Sequence, residues 1–128
     1  MMRALTVGIL ALALQFGAPA VPAAGDDPEI EYLLTRIASS NCEFNRNGVW
    51  YDAKRAQEHL RNKYDYLAAR HAIGSTEDFI GKAASRSSYS GRDYIIRCPG
   101  APETPSNRWM LDRLAEYRAS QVKPGAVP

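Results

Sequence analysis

SNCEFNRNGVWYDAKRAQEHLRNKY, residues 40–64, changes its periodicity halfway along. In its first half, Asn47-Gly48 sits between the apolar-bearing segments Cys42–Phe44 and Val49–Tyr51. Asn-Gly tolerates positive φ at both positions, so the segment predicts a tight β-hairpin. Phe44, Val49 and Tyr51 are expected to face the core, with Trp50 on the other side or over the edge, either packed under the final helix near Trp109 or placed beside the hairpin tip to stack on a sugar or anchor a partner. In the second half Asp52 is a natural helix cap. Ala53, Ala56, Leu60, Tyr64, Leu67 and His71 then follow at helical spacing, which predicts a helix over 53–71 stopped at Gly74.

N-terminal to this stretch, Asp27-Pro28 followed by Glu29 and Glu31 has the composition of a helix start. Ile30, Leu33, Leu34 and Ile37 give that helix one apolar face, ending near Ser39-Ser40. C-terminal to it, Ser75 with Asp78 three residues on is box-like and opens a short helix carrying Phe79, Ile80 and Ala83. Ser85–Gly91 has no periodicity and reads as a loop, and Asp93–Cys98 reads as a strand. Pro99–Pro105 is proline-rich loop, after which Thr104 or Ser106 caps a last helix with Trp109, Met110, Leu114 and Tyr117 on its buried stripe. The expected fold class is α+β, helix-dominant, with about four helices around a small antiparallel sheet made of the hairpin plus one strand.

The 128 residues accommodate a single domain. Met1-Met2-Arg3, the apolar run Ala4–Phe16 and the small-residue segment through Ala23 predict a signal peptide over 1–23, with cleavage between Ala20 and Ala24. The run is too short for a membrane span. A globular domain over 28–119 and a disordered tail over 120–128 complete the expected organisation, in a periplasmic protein with no membrane span after cleavage. In an oxidising compartment the pair Cys42 and Cys98 predicts one disulfide. Of the 16 Lys plus Arg only Arg3 lies in the leader, leaving 15 against 14 Asp plus Glu, a balance of +1. Those charges are scattered, which argues against nucleic acid as a partner.

Ser40, Cys42, Phe44, Arg46-Asn47-Gly48, Tyr51, Ala56, His59-Leu60 and Lys63-Tyr64 form one recognisable block. Thr76–Ile80, Ala84-Ser85, Ser87-Ser88, Ser90-Gly91 and Tyr94 form a second, and Trp109, Leu114, Tyr117 and Arg118 a third. Together they resemble the YfeK-like family of small secreted bacterial proteins, a domain of unknown function. The resemblance spans roughly Ile30–Arg118 and implies no activity, cofactor or partner.

His59, at the edge of the long helix's apolar stripe with Lys63 one turn on, is the first candidate site residue, as a base or a pH-sensitive contact. Its ordinary alternative is a boundary histidine hydrogen-bonded to backbone or to the serine loop. His59 and His71 lie about 18 Å apart on one helix, rotated by roughly 120°, so they share no metal ion. No metal and no cofactor is expected. Ser85, Ser87, Ser88 and Ser90, alternating with Arg86 and Tyr89 before Arg92 and Tyr94, offer hydroxyls and guanidiniums suited to a carboxylate, a phosphate or a sugar. The same composition also suits a turn that caps its own backbone. Arg46 and Asn47 at the hairpin tip complete the candidate surface.

These residues favour a non-enzymatic binding or interaction protein of the cell envelope, whose partner is an envelope protein or a cell-wall ligand. The first alternative is a small cell-wall hydrolase using His59 with a loop serine. The second is a periplasmic lysozyme inhibitor, since Ser90-Gly91-x-x-Tyr94 matches a short motif that such inhibitors present.

Overall fold

A computed structural model describes Gly8 and residues 27–122. Apart from Gly8, the expected signal peptide lies outside these, as do the last six residues of the expected tail. The elements in order are α1 (Pro28–Ala38), β1 (Glu43–Arg46), β2 (Val49–Tyr51), α2 (Ala53–Ala68), α3 (Thr76–Ala83), β3 (Ile95–Arg97), β4 (Thr104–Pro105) and α4 (Ser106–Ser120). The fold is α+β and helix-dominant, with four helices against one antiparallel sheet of order β2-β1-β3-β4 among the described residues.

The helices begin where their caps dictate. Asp27 Oδ1 accepts from the backbone N–H groups of Glu29 at 2.9 Å and Ile30 at 3.2 Å, satisfying two donors that a helix start leaves open. Asp52 does the same for Arg55 N–H at 2.8 Å. At α3, Ser75 accepts from Asp78 N–H while Asp78 Oδ2 accepts from Gly74 N–H, a capping box displaced by one residue. The start of α4 differs from the expected side-chain cap. Pro105 occupies the cap position, Ser106 is buried and donates to Ala84 C=O at 2.7 Å, and Thr104 pairs with Ile96 in a fourth strand. That strand extends the expected three-stranded sheet.

The hairpin forms as Asn-Gly predicts. Arg46 pairs with Val49, and the two-residue loop holds Asn47 at φ 53° and Gly48 at φ 85°, the twist that antiparallel strands accept. Phe44 is buried, but Val49, next to the hairpin tip on the edge strand β2, is 52% exposed. Trp50 takes the edge position and not the one under the final helix. β2 is the edge strand farthest from β4 and α4, so Trp50 stacks on the Arg97 guanidinium at 3.8 Å instead of approaching Trp109.

α2 stops at Ala68, short of the expected His71. His71 adopts φ 54°; its N–H donates to Ala68 C=O and that of Ala72 to Leu67 C=O, closing the helix in a Schellman arrangement before Gly74 is reached. β3 is likewise shorter than the expected 93–98 strand, covering Ile95–Arg97. α4 runs to Ser120, one residue into the expected tail.

Ile30, Leu33, Leu34 and Ile37 of α1 bury against Leu60, Phe79, Met110 and Leu114, and Phe44, Tyr94 and Ile96 close the sheet side. Polar clamps lock the helices at the rim. Arg61 grips Glu31 with two bonds of 2.6 Å between α2 and α1. Arg118, at the end of α4, reaches Glu29 at 2.8 Å and Glu77 at 2.5 Å. Its guanidinium lowers the pKa of both carboxyls, with Thr76 adding a further hydrogen bond to Glu29. The Cys42–Cys98 disulfide joins the residues just outside the Glu43–Arg97 pair, across β1 and β3.

Candidate functional site

Three segments converge at one end of the sheet. β1 delivers Arg46 as its last residue, α2 delivers His59 and Lys63, and the connection from α3 to β3 delivers Ser87, Ser88 and Tyr94. The α2 pair follows from periodicity. Ala56, Leu60 and Tyr64 are buried, so positions 59 and 63, four apart and one step round the helix, flank the core on the same side. Tyr94 is 1% exposed, with its ring 5.7 Å from Phe44, yet its hydroxyl reaches the α2 side chains.

The polar atoms form a continuous row. Arg46 Nη1 lies 2.7 Å from His59 Nδ1 and 3.1 Å from Nε2, His59 Nε2 lies 3.2 Å from the Tyr94 hydroxyl, and Lys63 Nζ donates to that hydroxyl at 3.2 Å. A guanidinium has only donors, so the ring nitrogen that carries the lone pair accepts from Arg46, and the contact favours a neutral imidazole. Burial, then the charges of Arg46 and Lys63, hold the His59 pKa down at about 4, against an ordinary value near 6.5. Burial and Arg46 also depress the Lys63 ammonium, and burial raises the Tyr94 phenol.

A cleft of about 400 Å³ opens over this row. Smaller depressions adjoin it on both sides along α2, one toward Arg55 and Glu58 and one toward Tyr66 and Leu67, and His59 lines all three. Among the described residues no carboxylate pairs with Arg46 or Lys63. Arg46 meets His59 and the Tyr51 ring, while Lys63 meets Tyr94 and the Arg86 carbonyl.

The serines divide by role. Ser87 is 4% exposed, and its Oγ accepts from the backbone N–H groups of Tyr89 and Ser90 and from Asn47 Nδ2, so it caps its own turn. Ser90 donates to Asn47 Oδ1 and accepts from Arg92 N–H. Ser85 donates to Ile80 C=O at 2.6 Å, tying the loop to α3 and standing apart from the cleft. Ser88 lines the cleft and is exposed. The fold therefore brings Arg46, Asn47, His59, Ser87, Ser88 and Tyr94 together, holds Ser90 beside them through Asn47, and leaves Ser85 out. Lys63 belongs to the row although sequence reasoning had not placed it among the candidate site residues; its spacing of four from His59 was the available signal. Among the described residues no group of three or more His, Cys, Asp or Glu is placed to hold a metal ion, and no helix is long and apolar enough to cross a membrane.

A family of unknown function, DUF5329, matches residues 24–118. The chain belongs to this family. It is 33% identical over 94 residues to the uncharacterized protein YfeK of Salmonella typhimurium, across 73% of this chain and 77% of that protein. No solved structure matches the chain. The relative bears out the YfeK-like resemblance read from the three sequence blocks, and every residue of the cleft lies within the span that the family match covers.

Proposed function

We propose that this protein is a non-enzymatic binding protein of the bacterial envelope, recognising a cell-wall ligand or envelope partner in the cleft between the hairpin tip, α2 and the 85–94 loop. The observation that carries this reading is the pairing of His59 with Arg46. A histidine acting as general base needs its acceptor nitrogen free for the nucleophile it serves. Here the acceptor is occupied by a guanidinium, and no serine hydroxyl lies within hydrogen-bond distance of the ring. Ser87 and Ser90, the loop serines nearest Asn47, are committed to their own turn.

The lysozyme-inhibitor reading draws less support from the geometry. Tyr94 of the Ser90-Gly91-x-x-Tyr94 motif is buried, so its ring is not offered to a partner.

The test uses oxidised protein freed of its leader and incubated with purified peptidoglycan sacculi. Sedimentation reports binding, and mass spectrometry of the supernatant reports released fragments. Co-sedimentation without release is expected. Fragments released by the natural protein and absent with His59→Ala would overturn the reading in favour of a hydrolase. Lysozyme inhibition assayed in parallel, and lost in Tyr94→Phe or Ser90→Ala, would favour the inhibitor.

A further inference from the structure

We propose that the cleft takes an oxyanion, a phosphate or carboxylate group, seated between the Arg46 guanidinium and the Lys63 ammonium over the Tyr94 hydroxyl. This rests on the binding reading above and names the chemistry of its ligand.

Two cations stand on one wall with only neutral groups, His59 and Tyr94, between them. Elsewhere among the described residues Arg61 pairs with Glu31, Arg97 with Glu43, Arg113 with Glu116, and Arg118 with Glu29 and Glu77, whereas half-buried Arg36 on α1, like Arg46, has no carboxylate partner. Arg46 and Lys63 are both half-buried, so their mutual repulsion is screened less than it is between charges in open solvent. That repulsion is sustained by the fold and is relieved by an anion bridging the two. The rest of the lining, Asn47, Ser87, Ser88 and Tyr89, carries no carboxylate, and Ser88 offers an exposed hydroxyl. A phosphate or carboxylate matches this set, because ionised oxygens form the strongest hydrogen bonds with guanidinium and ammonium donors. Neutral His59 contributes in a second way. Its acceptor nitrogen fixes Arg46 in place before the ligand arrives, so less side-chain freedom is lost on binding.

The depression toward Tyr66 and Leu67 continues from the Lys63 side of the cleft. A ligand carrying its anion on a partly apolar body fits this continuation, with the charged group at the Arg46–Lys63 end.

The experiment is a titration of the isotope-labelled, oxidised protein, followed by amide and side-chain NMR shifts, with inorganic phosphate, acetate and the neutral disaccharide chitobiose in separate arms. Phosphate or acetate should shift His59, Lys63, Ser88 and Tyr94 saturably, and whichever binds more tightly identifies the group. Lys63→Met and Arg46→Gln should each weaken that affinity roughly 10- to 100-fold, the loss expected for one charge-assisted hydrogen bond. Lys63→Arg should restore it, which a purely structural lysine would not require. An unchanged melting temperature in the variants separates lost binding from lost fold. Chitobiose alone shifting the cleft would overturn the oxyanion while leaving the binding reading intact. Anion shifts that persist in Lys63→Met and Arg46→Gln, or no saturable shift in any arm, would also overturn it. The sacculus assay then judges the broader reading on its own evidence.

Discussion

Arg46 and His59, thirteen residues apart on a strand and a helix, meet at 2.7 Å through a guanidinium N–H and an imidazole acceptor nitrogen. This contact favours a neutral imidazole and makes protonation costly. A second ring proton would turn the acceptor nitrogen into a donor facing the guanidinium, beside a second cation, Lys63. With the folded-state pKa near 4, His59 stays uncharged through the whole range in which a free histidine titrates. The consequence for stability has a definite sign. Between pH ~6.5 and ~4 the unfolded chain takes up a proton at this residue that the folded chain refuses, so stability falls as pH falls through that window. An NMR titration should place the His59 midpoint near 4. It should rise toward the ordinary value in Arg46→Gln. Urea unfolding should show a smaller loss between pH 7 and 5 in His59→Gln than in the natural protein. A natural midpoint at the ordinary value would contradict the Arg46–His59 geometry.

The Cys42–Cys98 bridge closes a sequence separation of 56 and ties β1 to β3 beyond their last paired residues. In the chain-entropy description a loop of that length contributes about 4 kcal/mol. For a domain of this size that corresponds to a fall in Tm of roughly 15–30 °C. Calorimetry with and without dithiothreitol should show it, and Cys42→Ser with Cys98→Ser should reproduce the reduced curve. An unchanged melt would mean that the helical core holds the sheet without help from the bridge.

His71 occupies the left-handed position that ends α2, where glycine is the usual residue. Its side chain is exposed and makes no hydrogen bond among the described residues, so the backbone conformation is the main thing at stake. A left-handed non-glycine residue costs about 1–2 kcal/mol, part of which glycine returns as greater freedom in the unfolded chain. His71→Gly should therefore stabilise by about 0.5–1 kcal/mol in urea unfolding, and His71→Val should destabilise. If His71→Gly is destabilising, the helix does not end at this residue.

The helices were legible because each carries its signals locally: Asp27 with Pro28, Asp52, and Ser75 with Asp78 announce starts, and Ile30, Leu33, Leu34 and Ile37 announce a buried face. The hairpin was legible from two residues, Asn47 and Gly48. What escaped depends on position in the sheet, which no local pattern encodes. Trp50 and Val49 have strand-like alternation, but only the strand order puts them on the edge away from α4. Thr104 looks like a cap until β3 arrives beside it to make a strand. At the candidate site the sequence marked the right segments but not the pairing. The Ser87 and Ser90 hydroxyls are consumed by Asn47 and by their own turn, and Lys63 enters only because Tyr94 lies beneath it.

Asn47 gives the last prediction, because its backbone and side chain do separate things. The backbone turns the hairpin in the left-handed region, while the side-chain amide donates to Ser87 Oγ at 3.2 Å and its carbonyl accepts from the Ser90 hydroxyl. Asn47→Gly removes the side chain but keeps the turn, so it isolates the link between hairpin tip and serine loop. Asn47→Ala removes the same link and adds strain at φ 53°, so it should be the less stable of the two. With Asn47→Gly the hairpin should persist while amide exchange accelerates at Ser87 and Gly91, whose N–H groups close the 87–92 turn. In a double-mutant cycle with Ser90→Ala the coupling should be about 1 kcal/mol, the usual net worth of one hydrogen bond. A loosened loop should also weaken any ligand that touches Ser88, since the residues holding that wall would no longer be set before binding. Additive effects on stability, with loop exchange unchanged in Asn47→Gly, would show that the turn orders itself and that the hairpin tip only rests against it.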